Sequence, residues 1–400
     1  MLVHWIWFSQ LAKLDSHQKL LLLERFRDPE EIYYTQPEGL ERIEGLTQDA
    51  AEALEDRDLT KSQYILQRCM EKNISILTFG DTGYPSRLKN IDDPPMVLYY
   101  MGMLPDWEAL PVIGAVGTRE ASAYGMHMAR TLCAQIASCG ALVCSGGAEG
   151  IDTMSMLGAL EAGGKVIGVL AGGLDKLYPA CNKYMFLQTA KQGCLISEYP
   201  PGTPSYKWNF PARNRIISGI SNGVLVVEAP QISGALITAR RAMEQGRDVF
   251  VVPANADVVS SAGSNQLLRQ QAIPVWDGWD VVREYEALYP GKVHKAKNAP
   301  FSGEKVAQAP IIPEKQTKES ARISKKTIDN GKKSTYSVLD DRDLDPEERT
   351  VLGCLTQEPQ NVDEVIAQTG FSSGRVLSIL TKLTLKGKVK NHPGKRVSLL

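Results

Sequence analysis

The sequence predicts an α/β fold built on a doubly wound parallel sheet, and three observations carry that expectation. Between Val112 and Trp276 seven short apolar runs recur: "VIGAVG", "ALVCSGG", "KVIGVLAGG", "CLISEYP", "GVLVVEA", "DVFVVPA" and "IPVW". Runs that are apolar at successive positions, not every second one, belong to strands buried on both faces. Longer amphipathic stretches such as "SAYGMHMARTLCAQIASCG" separate them, as helical crossovers between parallel strands require. Nearly all the unusual loops follow the runs, so they collect on one edge of the sheet.

Along the chain, residues 1–105 read as a small helical domain. Apolar residues fall at helical spacing in "FSQLAKLDSHQKLLLLERF", "LTQDAAEALE" and "TKSQYILQRCMEKN". Tyr-Pro and Pro-Pro then break the pattern, and "VLYYMG" has the look of a strand leading into the next domain. Residues 106–291 form the sheet domain. Residues 292–338 are rich in Lys, Ser and Pro without apolar period, and read as a disordered basic linker, with 11 basic against 4 acidic residues between 292 and 336. Residues 339–400 give three short helical patterns, with Val351, Leu352, Val365, Ile366, Val376 and Leu380 as an apolar core. Two short strands about a Pro-Gly turn follow, in the order of a winged helix-turn-helix.

Composition narrows the function. A net charge of −1 excludes a generally basic nucleic-acid binder, so any such contact must be local. Seven cysteines without CxxC spacing read as reduced thiols, and no apolar stretch reaches about 18 residues, so a cytoplasmic protein without membrane insertion is expected. The loops lack GxxxxGK[ST], and the first lacks GxGxxG, which disfavours ATP hydrolysis and a standard dinucleotide site. None of the five histidines falls in these loops and no Cys/His or paired-carboxylate cluster shows metal spacing, so neither a catalytic centre nor a cofactor is expected.

In a doubly wound sheet, ligands bind outside the carboxyl ends of the strands, where helix N-termini and free backbone N–H groups gather. There the sequence places Gly117, Gly146, Gly147 and Gly150 for close backbone approach, Thr118 and Ser145 as hydroxyl donors, and Arg119 as a planar cation suited to phosphate. The stretch "SYKWNFPARNRIISG" adds cations beside aromatics, the combination that suits single-stranded nucleic acid: cations follow the backbone and ring faces take unstacked bases. Lys207 would hold a phosphate and Phe210 or Trp208 would stack a base. Arg213 and Arg215 would line the groove or anchor it through carboxylates.

"AVGTR", "SGGAEGID", "GGLDKLYP", "LISEYPPGTP", "NFPARNRIISG", "VVEAPQISGALITAR", "EQGRDVFVVP" and "GSNQLLRQ" together resemble the DNA-processing protein A (DprA/Smf) family over roughly residues 80–275. The resemblance implies an extended Rossmann-like core, an N-terminal domain like the SAM or helix-hairpin-helix folds and a C-terminal winged helix. It implies a protein that binds and protects single-stranded DNA and helps load the RecA recombinase in natural transformation, as a homodimer and without enzymatic activity. Carried over to this chain, the family's DNA pocket comprises Arg119, Lys207 and Phe210, and we extend the expected contacts to Gly117, Thr118, Ser145, Gly146, Gly150, Asn182, Arg213, Asn214 and Arg215. Three positions depart from the family pattern: Met156 stands where a histidine is common, Ala254 where glycine follows "VP", and Glu149 where some members carry lysine. A more distant resemblance to the lysine-decarboxylase-like phosphoribohydrolases leaves a nucleotide-binding enzyme as the alternative, although their P-G-G-x-G-T-x-x-E signature is absent.

Overall fold

A computed structural model describes residues 1–40, 43–296, 345–356, 358, 360–371, 375–376, 379–380, 383–384, 388–392 and 396–399. The chain forms two compact units, Met1–Ala307 and Gln308–Leu400. Most of the expected linker, from 297 to 338, lies outside the described residues. Its first residues are docked: Val293 is buried in the sheet's core and the His294 N–H donates to the Cys139 carbonyl at 3.1 Å.

The first unit opens with helices α1 (Leu2–Gln10), α2 (Ser16–Arg25), α3 (Pro29–Tyr34), α4 (Pro37–Leu40), α5 (Gln48–Glu55) and α6 (Thr60–Glu71). Asp15 and Gln18 close a reciprocal capping box at the start of α2, satisfying donors that the first turn leaves unpaired. Trp7, Phe8, Leu22, Ile32 and Leu54 bury together as a local core. Trp5, Ile6, Ile65 and Cys69 instead join the core beneath the sheet, so this segment is packed into the larger body.

Next come β1 (Ser75–Thr78), α7 (Ser86–Lys89) and β2 (Val97–Gly102), which correct the expected boundary at residue 105. β1 and β2 pair with each other and β2 pairs with a core strand, all antiparallel, so both belong to the main sheet. The four-residue strand "SILT" follows α6 after a turn at residues 72–74, and its isoleucine and leucine continue the helical apolar spacing that precedes them.

The remaining elements alternate: β3 (Val112–Val116), α8 (Ala123–Ser138), β4 (Leu142–Ser145), α9 (Ile151–Glu161), β5 (Val166–Leu170), α10 (Lys183–Gln192), β6 (Cys194–Ser197), α11 (Asn209–Ile220), β7 (Gly223–Val226), α12 (Gly234–Glu244), β8 (Asp248–Val251), α13 (Ala262–Leu268), β9 (Ile273–Pro274) and α14 (Gly278–Val282). The sheet order is β1-β2-β6-β5-β4-β3-β7-β8-β9, with β3 to β9 parallel. The winding reverses between β3 and β7, which opens a crevice at their carboxyl ends.

Side-chain alternation explains the continuous apolar runs. Ile113, Ala115, Val143, Leu225 and Phe250 face a core with α8, α9, α10 and α14. Their neighbours Val112, Val116, Cys144, Val224 and Val249 face a second core with α11, α12 and α13. Strands β3 to β7 are thus buried on both sides, with period 2 hidden by apolar residues in both phases. Helices α8 and α9 approach closely at Gly158, where a Cβ would stand 2.1 Å from the Arg130 carbonyl oxygen.

The second unit contains α15 (Pro346–Gly353), β10 (Gln360–Asn361), α16 (Val362–Thr369), β11 (Val389–His392) and β12 (Arg396–Leu399). Arg375, Val376, Ile379, Leu380, Leu383 and Thr384 are helical as well. Strand order is β10-β12-β11, with β11 and β12 antiparallel as the wing. Val351, Val365, Val376 and Leu380 bury as its core, with Leu352 and Ile366 packed against them. The Pro-Gly turn lies outside the described residues.

Candidate functional site

The crevice at the switch point is built first by the loop after β3. The chain turns at Gly117, where a Cβ would lie 2.5 Å from Ile151 Cγ1, so a larger residue would lever the loop off α9. The Thr118 N–H donates to the Glu228 carbonyl at 2.8 Å, and the Thr118 carbonyl accepts from the Ile151 N–H at 3.2 Å. Glu228 is buried, and its Oε2 accepts from both the N–H and the hydroxyl of Ser122, at 3.0 and 2.9 Å, just ahead of α8. Both the main chain and the side chain of Glu228 therefore hold the loop that presents Arg119 to solvent.

The loop after β4 forms the floor. Ser145 does not offer its hydroxyl to the groove, a correction to its expected role: it is fully buried and donates to the Ala115 carbonyl at 2.7 Å. Last in an interior strand, it must satisfy its oxygen on the neighbouring strand. Gly150, at φ 79°, caps α9; a Cβ there would stand 2.5 Å from the carbonyl oxygens of Thr118 and Arg119. Asn182 is buried too, and its amide donates to the Gly147 carbonyl at 3.0 Å and to Thr153 Oγ1 at 2.7 Å, so it braces this loop from behind. Met156, at the first departure from the family pattern, is fully buried in the core beneath.

The loop between β6 and α11 supplies the wall. Lys207 is exposed and Phe210 half-buried. The Arg119 guanidinium carbon lies 4.9 Å from the Phe210 ring centroid, that of Arg213 lies 5.9 Å from it, and Tyr178 meets the ring edge-on at 6.2 Å. Arg213 is buried, and its Nη1 donates to the carbonyls of Gly146, at 2.8 Å, and of Val169. Its Nε donates to Asn214 Oδ1 at 3.1 Å. Burial lowers the Arg213 pKa, and the carboxylate of Asp152 opposes that shift. Asp152, in the first turn of α9, accepts from the Ala148 N–H at 3.3 Å. Burial raises its carboxyl to about 6 against the pull of Arg213, of nearby backbone N–H groups and of Arg119.

Arg215 lies apart from this surface. It is buried and bidentate to Glu198 at 2.9 and 2.7 Å, with Nε 2.9 Å from Asp93 Oδ2. Two residues beyond Arg213 on a helix, its side chain leaves the opposite side, where it ties α11 to the Asp93 loop.

Together these loops enclose a groove of about 780 Å³ whose lining includes Gly117, Thr118, Arg119, Lys207, Phe210, Arg213 and Asn214. Gly146 opens instead onto a smaller recess beneath Arg119 and Phe210. Pro211, Asp152 and the Ser233–Ala235 turn bring the first turns of α11, α9 and α12 to the groove. Helix N-termini carry partial positive charge, so these starts add to the side-chain cations as a surface for anions. Arg119 and Lys207 have no ion pair among the described residues. The arrangement suits a chain of phosphates with at least one ring to stack on Phe210. Sequence reasoning missed Tyr178, Asp152 and Glu228 as parts of the site, although each lies in a loop it singled out; an acidic residue directly after a helix-opening Gly-Ile was the readable signal for Asp152.

All seven cysteines are free and five are buried. Among the described residues no group of three or more His, Cys, Asp and Glu could hold a metal, and no helix is long and apolar enough to cross a membrane.

Residues 75–286 match the family described as DNA recombination-mediator protein A, and residues 339–395 match the DprA winged helix domain. The chain is 32% identical to Protein Smf of Synechocystis over 98% of its own length and 97% of that protein. It is 41% identical to DNA processing protein DprA of Bacillus subtilis over 55% of the chain and 74% of the relative. The crystal structure of DprA from Streptococcus pneumoniae superposes with a TM-score of 0.61 at 34% identity, covering 70% of this chain and 95% of that one. A matched region that begins at Ser75 takes in β1 and β2, as the sheet does, and a relative aligned over nearly its whole length shares the flanking parts: the chain belongs to the DNA recombination-mediator protein A (DprA/Smf) family.

Proposed function

We propose that the switch-point groove binds single-stranded DNA, and that the protein protects incoming strands and passes them to the RecA recombinase during natural transformation. The observation that carries this reading is the Arg119 guanidinium stacked 4.9 Å above the half-exposed Phe210 ring in the groove that Lys207 also lines. Cation and ring face adjoin as a nucleotide's phosphate and base do. The role is that of a mediator that binds without converting its ligand, in the cytoplasm, with a second copy of the chain and the recombinase as partners. Family membership supports these finer points.

Single-stranded DNA should bind more tightly than duplex of equal length, with little sequence preference and with affinity falling as salt rises. A gel shift comparing the two forms at moderate salt tests this. Equal affinity for both sinks the reading.

A dependence on pH follows from Asp152. Its folded-state pKa of about 6 stands above the ordinary carboxyl value of 3.8, so the native protein takes up a proton at a pH where the unfolded chain does not. Burying the charged carboxylate costs stability above pH about 6, and that cost is relieved as pH falls toward 4. The same protonation removes a negative charge from beneath Arg119 and Arg213, so affinity for oligothymidylate should rise about three- to tenfold between pH 7.5 and 5.5. Fluorescence anisotropy at fixed ionic strength measures the rise, and Asp152→Asn should flatten it.

A further inference from the structure

The loop that carries Lys207 has a second side. Ser205 and Lys207 line the groove, whereas Tyr206 and Trp208 do not; those two rings stack on each other, 4.7 Å apart and 10° from parallel. Both are exposed to solvent, Trp208 at 71% and Tyr206 at 45%. The loop is held from both ends. The Asn209 N–H donates to the Tyr206 carbonyl at 3.0 Å, and the Asn209 amide donates to the carbonyl of Ala171 at 2.9 Å. Upstream, Lys176 Nζ donates to the Gly202 carbonyl at 3.1 Å.

Two parallel rings on a pinned loop keep open a flat π surface that a self-contained fold has reason to cover. Lys207 lies between them in sequence and turns to the groove. A strand leaving the groove past Lys207 therefore meets an aromatic surface on the outer side of the same loop. We propose that Tyr206 and Trp208 form a second base platform, on which the nucleotides just outside the groove stack, with the phosphate at Lys207 as the pivot between the two sites. The proposal rests on the single-strand reading of the groove. Its occupant is the continuation of that strand, because Lys207, the residue between the two rings, itself lines the groove and a stacked pair accepts any base face.

Oligothymidylates of about 6 and about 20 nucleotides separate the two sites, since one such site spans about 4–16 nucleotides. With the full chain, Trp208→Ala should weaken the long oligonucleotide about five- to twentyfold and leave the short one unchanged, while Trp208→Phe keeps most of the affinity. A long strand whose outer half lacks bases should bind the wild type as weakly as the intact strand binds Trp208→Ala. Tryptophan fluorescence should be quenched by the long strand alone. If Trp208→Ala alters neither affinity, or lowers both equally, the platform is wrong. If Arg119→Ala leaves the short oligonucleotide's affinity unchanged, the groove reading fails first, and the platform with it.

Discussion

Alanine at both Arg119 and Lys207 is expected to abolish tight binding of a short oligonucleotide, each substitution weakening it by about 1–3 kcal/mol, as charge-assisted phosphate contacts do. That is about five- to 150-fold for each residue. Neither side chain is engaged in an ion pair among the described residues and both are exposed, so the unfolding midpoint should scarcely move. Arg119→Lys separates charge from shape. The ammonium keeps the phosphate's attraction but loses the planar contact with Phe210, so an intermediate affinity is expected. Titration by anisotropy beside urea unfolding of each variant makes the comparison. Full affinity after the double replacement would place the strand elsewhere.

Arg213→Ala should act in the opposite way, on the fold first. The guanidinium joins the carbonyls of Gly146 and Val169 and balances the buried Asp152. Its removal leaves two carbonyls unpaired and a carboxylate without its countercharge, a loss of about 3–5 kcal/mol. Because Asp152 can take up a proton, the loss should be smaller at pH 5 than at pH 7.5, and Asp152→Asn in the same chain should recover part of it. Arg213→Lys should not restore the wild-type stability, since an ammonium that replaced Nη1 at the two carbonyls would lack the Nε–H that also bonds Asn214 Oδ1. Urea unfolding at the two pH values measures each term. An Arg213→Ala chain as stable as the wild type would mean that the floor of the groove is not held as described.

The parallel core was legible because both phases of each strand are apolar, and the helical crossovers have a period of their own. Ser75–Thr78 was not legible, since a four-residue strand one short turn after a helix has too few residues to establish period 2. In the site, the exposed cations Arg119 and Lys207 could be read from residue type and loop position. Ser145 could not. Whether a hydroxyl at a strand end faces ligand or neighbour is set by tertiary pairing, here with Ala115. Arg213 and Arg215 illustrate the same limit: two positions apart on α11, one reaches the groove and the other the Glu198 carboxylate, and only the helix orientation tells them apart. The resemblance supplied the role of Phe210, while the geometry separates Phe210 in the groove from Trp208 outside it.

The double hold of Glu228 on the Arg119 loop has a consequence for timing. A loop already fixed before the strand arrives adds no slow closing step, so capture should run at the pace of diffusion and long-range attraction. Lys207, on the rim, then chiefly sets how fast strands arrive, while Phe210 chiefly sets how long they stay. With that division, residence is shortened by competing for one ring without dulling the encounter.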